Sequence, residues 1–221
     1  MMLYRTSIRN SPFIGVYVAT GGGIAVVPPA APKGFASRLT ELLNLRVLRT
    51  TVGGVSSVGA MVVMNSNGIA VPWNVEEEEL IELKRSGRLI GIVETKLTSL
   101  GNLVCANDHG AIASPLLSRK DVRQLGEILG VEVCQLSVAG YDLVGSAIVT
   151  TNSGALVHLS TEEEEKRKVR DILKVKTETG TVNGGYRFVR AGIVPGEKGA
   201  FVGNITTGPE LMAIREALAP Q

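Results

Sequence analysis

The sequence is poor in the side chains that usually carry chemistry. Its 221 residues include two cysteines, two histidines and one tryptophan, and aromatic residues make up only 4%. Cys105 and Cys134 are too few for a disulfide framework. They share no ligand spacing with the two histidines, which argues against a structural zinc site. Long apolar runs are missing too. Runs such as residues 59–64 fall far short of the roughly 20 residues that cross a bilayer, which excludes a transmembrane helix. The opening Met1-Met2-Leu3-Tyr4-Arg5-Thr6-Ser7 turns polar at once and lacks a signal-peptide core, so the expectation is a cytoplasmic, water-soluble protein with no membrane contact. Charge of one sign is also scarce. The 23 Lys and Arg against 21 Asp and Glu leave a net charge of +2, too little for a strongly basic nucleic-acid coat, although a local basic patch can hide in a balanced total. The 44% hydrophobic and 20% charged residues belong to a folded globular chain and exclude a disordered one.

The chain does have an internal repeat. Five segments open with glycine and continue with small or branched apolar residues: Gly23-Ile24-Ala25-Val26, Gly68-Ile69-Ala70-Val71, Gly110-Ala111-Ile112-Ala113, Gly154-Ala155-Leu156-Val157 and Gly199-Ala200-Phe201-Val202. They recur at intervals of 45, 42, 44 and 45 residues, so five modules use up the whole length. Each module reads in the same order. An apolar run (residues 14–18, 60–64, 103–106, 147–149 and 191–194) predicts a first strand. A tight turn such as Asn65-Ser66-Asn67-Gly68 or Asn107-Asp108-His109-Gly110 follows, since Asn, Asp and Gly tolerate left-handed backbone. The glycine-led run predicts a second strand, buried on both faces.

A helix comes next. Asn74-Val75-Glu76-Glu77, Ser118-Arg119-Lys120-Asp121, Ser160-Thr161-Glu162-Glu163 and Thr207-Gly208-Pro209-Glu210 each place a capping residue three before an acid, the arrangement that satisfies orphan N–H donors. Gly87 and Gly130 stop their helices. Third strands are expected over 89–97 and 132–138. The fifth helix, 209–218, has no strand after it, but Tyr4-Arg5-Thr6-Ser7-Ile8 matches Leu48-Arg49-Thr50-Thr51-Val52 at an offset of 44. The N-terminal strand is therefore expected to complete the last module. An open array would need polar caps at its ends, which a closed ring does not. The expected fold is an α/β closed ring of five pseudosymmetric strand-strand-helix-strand modules, forming one domain with helices outside. The modules cover about 10–52, 53–96, 97–138, 139–180 and 181–221, the last joined by strand 3–9.

Candidate chemistry is thin. Gly21-Gly22-Gly23 has no following Lys-Ser/Thr, so it reads as a glycine-rich turn rather than a phosphate loop. Both cysteines sit among apolar residues, which predicts inert thiols. His109 reads as a solvated turn residue and His158 as a hydrogen-bonded boundary residue. The acidic runs 76–79 and 162–165 start helices, where acids favour the dipole and face solvent. That makes the outer rim a poor surface for RNA. Five loops enter the first strands at one end of the ring: Arg9-Asn10-Ser11-Pro12, Gly53-Gly54-Val55-Ser56-Ser57, Thr98-Ser99-Leu100-Gly101-Asn102, Ala139-Gly140-Tyr141-Asp142 and Asn183-Gly184-Gly185-Tyr186-Arg187. They suit a flat, modestly polar face for a protein partner, with Tyr141 and Tyr186 as anchors. The plainer reading is that Gly-rich loops only turn corners.

The fivefold module, with Thr181-Val182-Asn183-Gly184-Gly185, Leu97-Thr98-Ser99-Leu100-Gly101-Asn102, Cys105-Ala106-Asn107-Asp108 and Leu156-Val157-His158 in order, resembles the translation initiation factor 6 family, archaeal in type. The resemblance implies a pentein-like ring that binds the large ribosomal subunit near the sarcin–ricin loop, touching ribosomal proteins and rRNA there. It also implies that the ring sterically blocks joining of the small subunit, with a role in large-subunit maturation. On this reading the protein is a monomer with no catalytic residue, cofactor or metal. The candidate binding face, read from the five loops, comprises Ser56, Ser57, Ser99, Asn102, Tyr141, Asp142, Asn183 and Tyr186, of which Asn102 and Asn183 stand inside the most family-like segments. The architecture also resembles that of guanidine-modifying enzymes, which use a nucleophilic Cys in the last module, and no Cys occurs after Cys134. A ring that binds a protein outside translation is the third alternative.

Overall fold

The computed structural model describes residues 1–220. The chain opens with β1 (Met2–Thr6). Blade one has a helical turn α1 (Ile14–Tyr17), β2 (Ala19–Gly21), β3 (Ile24–Val27), α2 (Lys33–Leu43) and β4 (Arg46–Arg49). Blade two repeats this as α3 (Val58–Met61), β5 (Val63–Met64), β6 (Gly68–Pro72), α4 (Glu77–Lys84) and β7 (Leu89–Val93). Blade three has α5 (Leu100–Leu103), β8 (Val104–Ala106), β9 (Ala111–Ala113), α6 (Arg119–Leu129) and β10 (Val133–Gln135). Blade four has α7 (Val144–Ala147), β11 (Ile148–Thr150), β12 (Gly154–His158), α8 (Glu163–Leu173) and β13 (Lys176–Gly180). Blade five begins with a 3₁₀ turn (Val189–Gly192) and continues through β14 (Ile193–Pro195), β15 (Gly199–Gly203) and α9 (Gly208–Leu218).

Each blade is a separate three-stranded sheet, its first two strands antiparallel and its outer strand parallel to the middle one. The fifth sheet is completed by the chain's start, with Met2 opposite Gly199 and Thr6 opposite Gly203. The middle strands β3, β6, β9, β12 and β15 are buried throughout, as their unbroken small and branched runs require. The core lies between blades: Ala19, Ile24, Val26 and Leu48 of blade one pack with Val58, Ile69, Val71 and Leu83 of blade two. No blade buries its apolar face alone, so the ring is stable only when its neighbours are in place. Asparagines staple the hairpins across that seam. Asn65 Nδ2 donates to the carbonyls of Asn107 and Leu129, and Asn107 Nδ2 to those of Thr151 and Leu173.

Three expectations need correction. The first apolar runs are not strands throughout. Each overlaps one helical turn near the axis: residues 14–17 are helix and β2 starts only at Ala19, and in the other four runs the strand starts after the first one to three residues. The turns pack in order α1, α3, α5, α7, 3₁₀ turn and back to α1, which closes the ring. Glycine allows that approach: a Cβ on Gly59 would overlap the carbonyl oxygen of Gly15, and one on Gly101 that of Gly59. Secondly, the capping boxes at Ser118/Asp121 and Thr207/Glu210 fall as expected, but blades two and four start two residues later, on Glu76/Glu79 and Glu162/Glu165. Asn74 instead lies against Gly53. Thirdly, the outer strands β7 and β10 are shorter than 89–97 and 132–138, because the chain leaves the sheet for the loops that form the candidate site.

Candidate functional site: the loop face

Because middle and outer strands run parallel, the ends of both, and the loops into the axial turns, meet on one face. Four of those loops are built alike. Arg9–Asn10, Gly53–Gly54, Ala139–Gly140 and Asn183–Gly184 all have positive φ, as the two central positions of a type I′ turn require. Each turn is closed by a pairing such as Val52 with Val55 or Val138 with Tyr141. Carboxylates then hold three of them from below. Glu79 accepts from the backbone N–H groups of Gly53 (2.7 Å), Gly54 (2.9 Å) and Glu76 (2.9 Å). Glu165 accepts from Ala139 and Glu162. Glu210 accepts from Gly184 (3.1 Å), Gly185 (2.8 Å) and Thr207 (2.7 Å), and from the Thr181 hydroxyl (2.8 Å). This corrects the solvent-facing reading of the acidic runs. Their first acids are exposed, but Glu79 is buried and Glu165 half-buried, and both are spent on the loops. Burial alone would raise the pKa of Glu79, yet its hydrogen bonds bring it below the ordinary carboxylate value.

Aromatic residues concentrate on this face. Four of the chain's nine, with His158, form a connected ladder: Phe13 against Tyr186 (4.8 Å between centroids), Tyr186 near Phe188 (6.2 Å), and Phe188, Tyr141 and His158 mutually within 5.1–5.5 Å. The ladder joins blades one, five and four. Tyr141 and Tyr186 remain 42% and 41% exposed at its surface, beside the exposed Arg187. His158 is 1% exposed, and its Nδ1 accepts from the Ser160 N–H (3.1 Å), which puts the ring hydrogen on Nε2. Burial, with Arg187 nearby, holds it below the usual imidazole value, so it is neutral at pH 7. Further round, Trp73 (59% exposed), Leu116, Leu159 and Ile205 follow the middle strands of blades two to five as an exposed apolar arc. Blade three lacks the tight turn, and its longer loop opens a cleft of about 500 Å³ lined by Glu94, Lys96, Leu97, Leu116 and Lys120. Glu94 and Lys120 pair across it at 2.7 Å.

The other expected site residues have structural partners. Asn183 is buried, with Nδ2 on the Pro12 carbonyl (3.0 Å) and Oδ1 accepting from Thr206 (3.2 Å), so it shapes the joint between blades five and one. Asn102 accepts from Ser146 (3.1 Å) and Asp142 from Ser137 (2.7 Å). Ser56, Ser57 and Ser99 are half-buried in front of their axial turns. The aromatic ladder beyond its two tyrosines escaped sequence reasoning, as did Trp73 and the apolar arc. The arc's spacing of 43, 43 and 46 residues was a usable signal.

Nucleophilic chemistry finds no support in the thiols. Burial pushes the Cys105 thiol up to about 12, and burial together with Glu132 raises that of Cys134. A family model described as the eIF-6 family matches residues 3–217. The chain belongs to the eIF-6 family. Proteins named translation initiation factor 6 are similar along nearly their whole length. That of Staphylothermus marinus is 34% identical over 99% of this chain and 98% of its own, and that of Pyrococcus horikoshii 36% identical over 99% of each. That of Pyrobaculum arsenaticum is 38% identical over 96% of each. Among solved structures, DDAH from Pseudomonas aeruginosa complexed with citrulline aligns with TM-score 0.46 and 11% identity, over 91% of this chain and 71% of that one. Agmatine deiminase of C. jejuni aligns with TM-score 0.43 and 13% identity, over 71% of this chain and 60% of that one. The eIF-6 family is one of translation initiation factors and not of enzymes.

Proposed function

We propose that this member of the eIF-6 family binds the large ribosomal subunit through its loop face and sterically prevents joining of the small subunit. On this reading it acts in the cytoplasm as a monomer, contacts ribosomal proteins and rRNA near the sarcin–ricin loop, and takes part in large-subunit maturation. The observation that carries the reading is the loop face itself. Exposed aromatic and apolar side chains stand on turns that buried carboxylates hold rigid, so little side-chain or loop freedom is lost on docking. Arg9, Lys96 and Arg187 are exposed on the same loops, together with Glu94, and the exposed Glu76 lies against the Gly54 turn.

The test is sedimentation of the purified protein through sucrose gradients with isolated large and small subunits. Co-migration with the large subunit alone, and a dose-dependent loss of joined ribosomes, is the expected result. Protein that stays at the top of the gradient, with joining unaffected, overturns the reading. The salt dependence then separates contact types: phosphate contacts make affinity fall steeply with ionic strength, and a protein anchor makes it fall slowly.

A further inference from the structure

The axial turns differ at one position. Aligned on their first helical residue, the second residue is Gly15, Gly59, Gly101 and Gly145 in blades one to four, and Arg190 in blade five. The four glycines are packed against the preceding turn's backbone: a Cβ on Gly145 would overlap the Gly101 carbonyl, and one on Gly15 the Arg190 carbonyl. Blade five escapes this constraint because its turn is 3₁₀ and its loop carries one more residue, with Gly185 at φ 106°. The largest basic side chain thus occupies the place where the repeat allows no side chain at all.

Arg190 is half-buried at the centre of the ring. Among the described residues no carboxylate lies within ion-pair distance of it. Burial lowers its pKa, and the one group with a resolved electrostatic effect on it is Cys105, on β8 of blade three across the axis. That thiol is protonated at neutral pH and brings no balancing charge. A guanidinium stays cationic under such conditions and presents five N–H donors in a planar fork. The half-buried side chain keeps access to solvent, so an anion can reach it, and the partner that matches its fork is one offering two oxygens at once.

We propose that Arg190 makes the ring axis a binding site for a small oxyanion, of the phosphate or carboxylate class, held bidentate by the guanidinium. This site is separate from the loop-face reading and does not depend on it.

The test titrates the full chain with inorganic phosphate, and in a second arm with acetate, in a phosphate-free buffer at constant ionic strength. Thermal unfolding and ³¹P line broadening are the readouts. The wild type is expected to show a saturable rise in Tm of several degrees and broadening of the phosphate signal, with half-saturation in the millimolar range or below. Acetate raising Tm as well assigns the site to oxyanions generally, and phosphate alone assigns it to the tetrahedral anion. Arg190→Met, which keeps the stem and removes the fork, should abolish both effects. Arg190→Lys keeps the charge, guards against a misfolded methionine variant, and should bind at least tenfold more weakly. Equal Tm rises in wild type and Arg190→Met, or no broadening with the wild type, overturns the proposal.

Discussion

Glu210→Gln isolates the energy of one loop clamp. Glu210 sits at the third position of α9, 7% exposed, and accepts from three backbone N–H groups and two threonine hydroxyls. Burial by itself raises its pKa, but the hydrogen bonds from Thr207, Thr181 and Gly185 overrule that and bring it from 4.5 to about 2. Such a depression corresponds to about 3 kcal/mol of stability at neutral pH, at about 1.4 kcal/mol per tenfold change in proton affinity. The carboxylate is favoured in the folded state, so this stability is full above pH 4.5 and drains away as pH falls towards 2. Glutamine keeps the shape and loses the charge. The variant should lose about 2–3 kcal/mol at pH 7, and the gap to wild type should narrow to about 1 kcal/mol at pH 3, where the wild type has lost most of the advantage. Urea unfolding followed by circular dichroism at pH 7, 5, 4 and 3 measures both quantities. A loss below about 0.5 kcal/mol at pH 7, or a gap that does not change with pH, would refute the clamp.

Other outcomes follow from the same geometry. Gly101→Ala should cost about 3 kcal/mol in urea unfolding, because the new methyl overlaps the Gly59 carbonyl, while Gly34→Ala, with open space around it, should gain about 0.5–1 kcal/mol. With a disulfide thiol reagent at pH 8, Cys134 should react in the folded protein and Cys105 only after unfolding; equal rates would show that Cys105 is not held as a buried thiol. Tyr141→Ala and Tyr186→Ala should each weaken binding to the large subunit about tenfold and, because each ring also packs in the ladder, lower Tm by a few degrees without unfolding the protein; unaltered co-sedimentation of the double variant would remove the loop face from the function.

The architecture was legible because a ring must repeat its core pattern, and the middle strands, buried on both faces, allow little variation from Gly23 to Val202. The match of residues 4–8 with 48–52 located the closing strand, which the structure places in register with Gly199–Gly203. The axial turns were not legible as helix. Four residues are too few for helical periodicity to differ from an apolar strand, and the glycines that decide the matter act through a neighbouring blade. The acidic helix starts misled for a related reason. A glutamate at a helix N-terminus favours the dipole whether it faces water or a loop, and only the tertiary position of Gly53 or Ala139 tells the two apart. At the candidate site Tyr141 and Tyr186 were found from loop position, while Phe13, Phe188 and His158 lie in three different modules and meet only once the ring closes.

The fifth sheet joins Met2–Thr6 to Gly199–Gly203, strands made at opposite ends of synthesis. At about 5–20 residues per second, the first strand waits on the order of 10–40 s before its partner has been made. During that interval Tyr4 cannot reach Phe201, and the core that they share with Phe35 and Ile8 stays open. Blades one to four have their own outer strands and can dock as they emerge, so the ring assembles as an arc and closes last. On a polysome, a waiting β15 edge is open to the β1 of a neighbouring nascent chain as well as to its own. Exchange of first strands between copies is therefore the misassembly this topology invites.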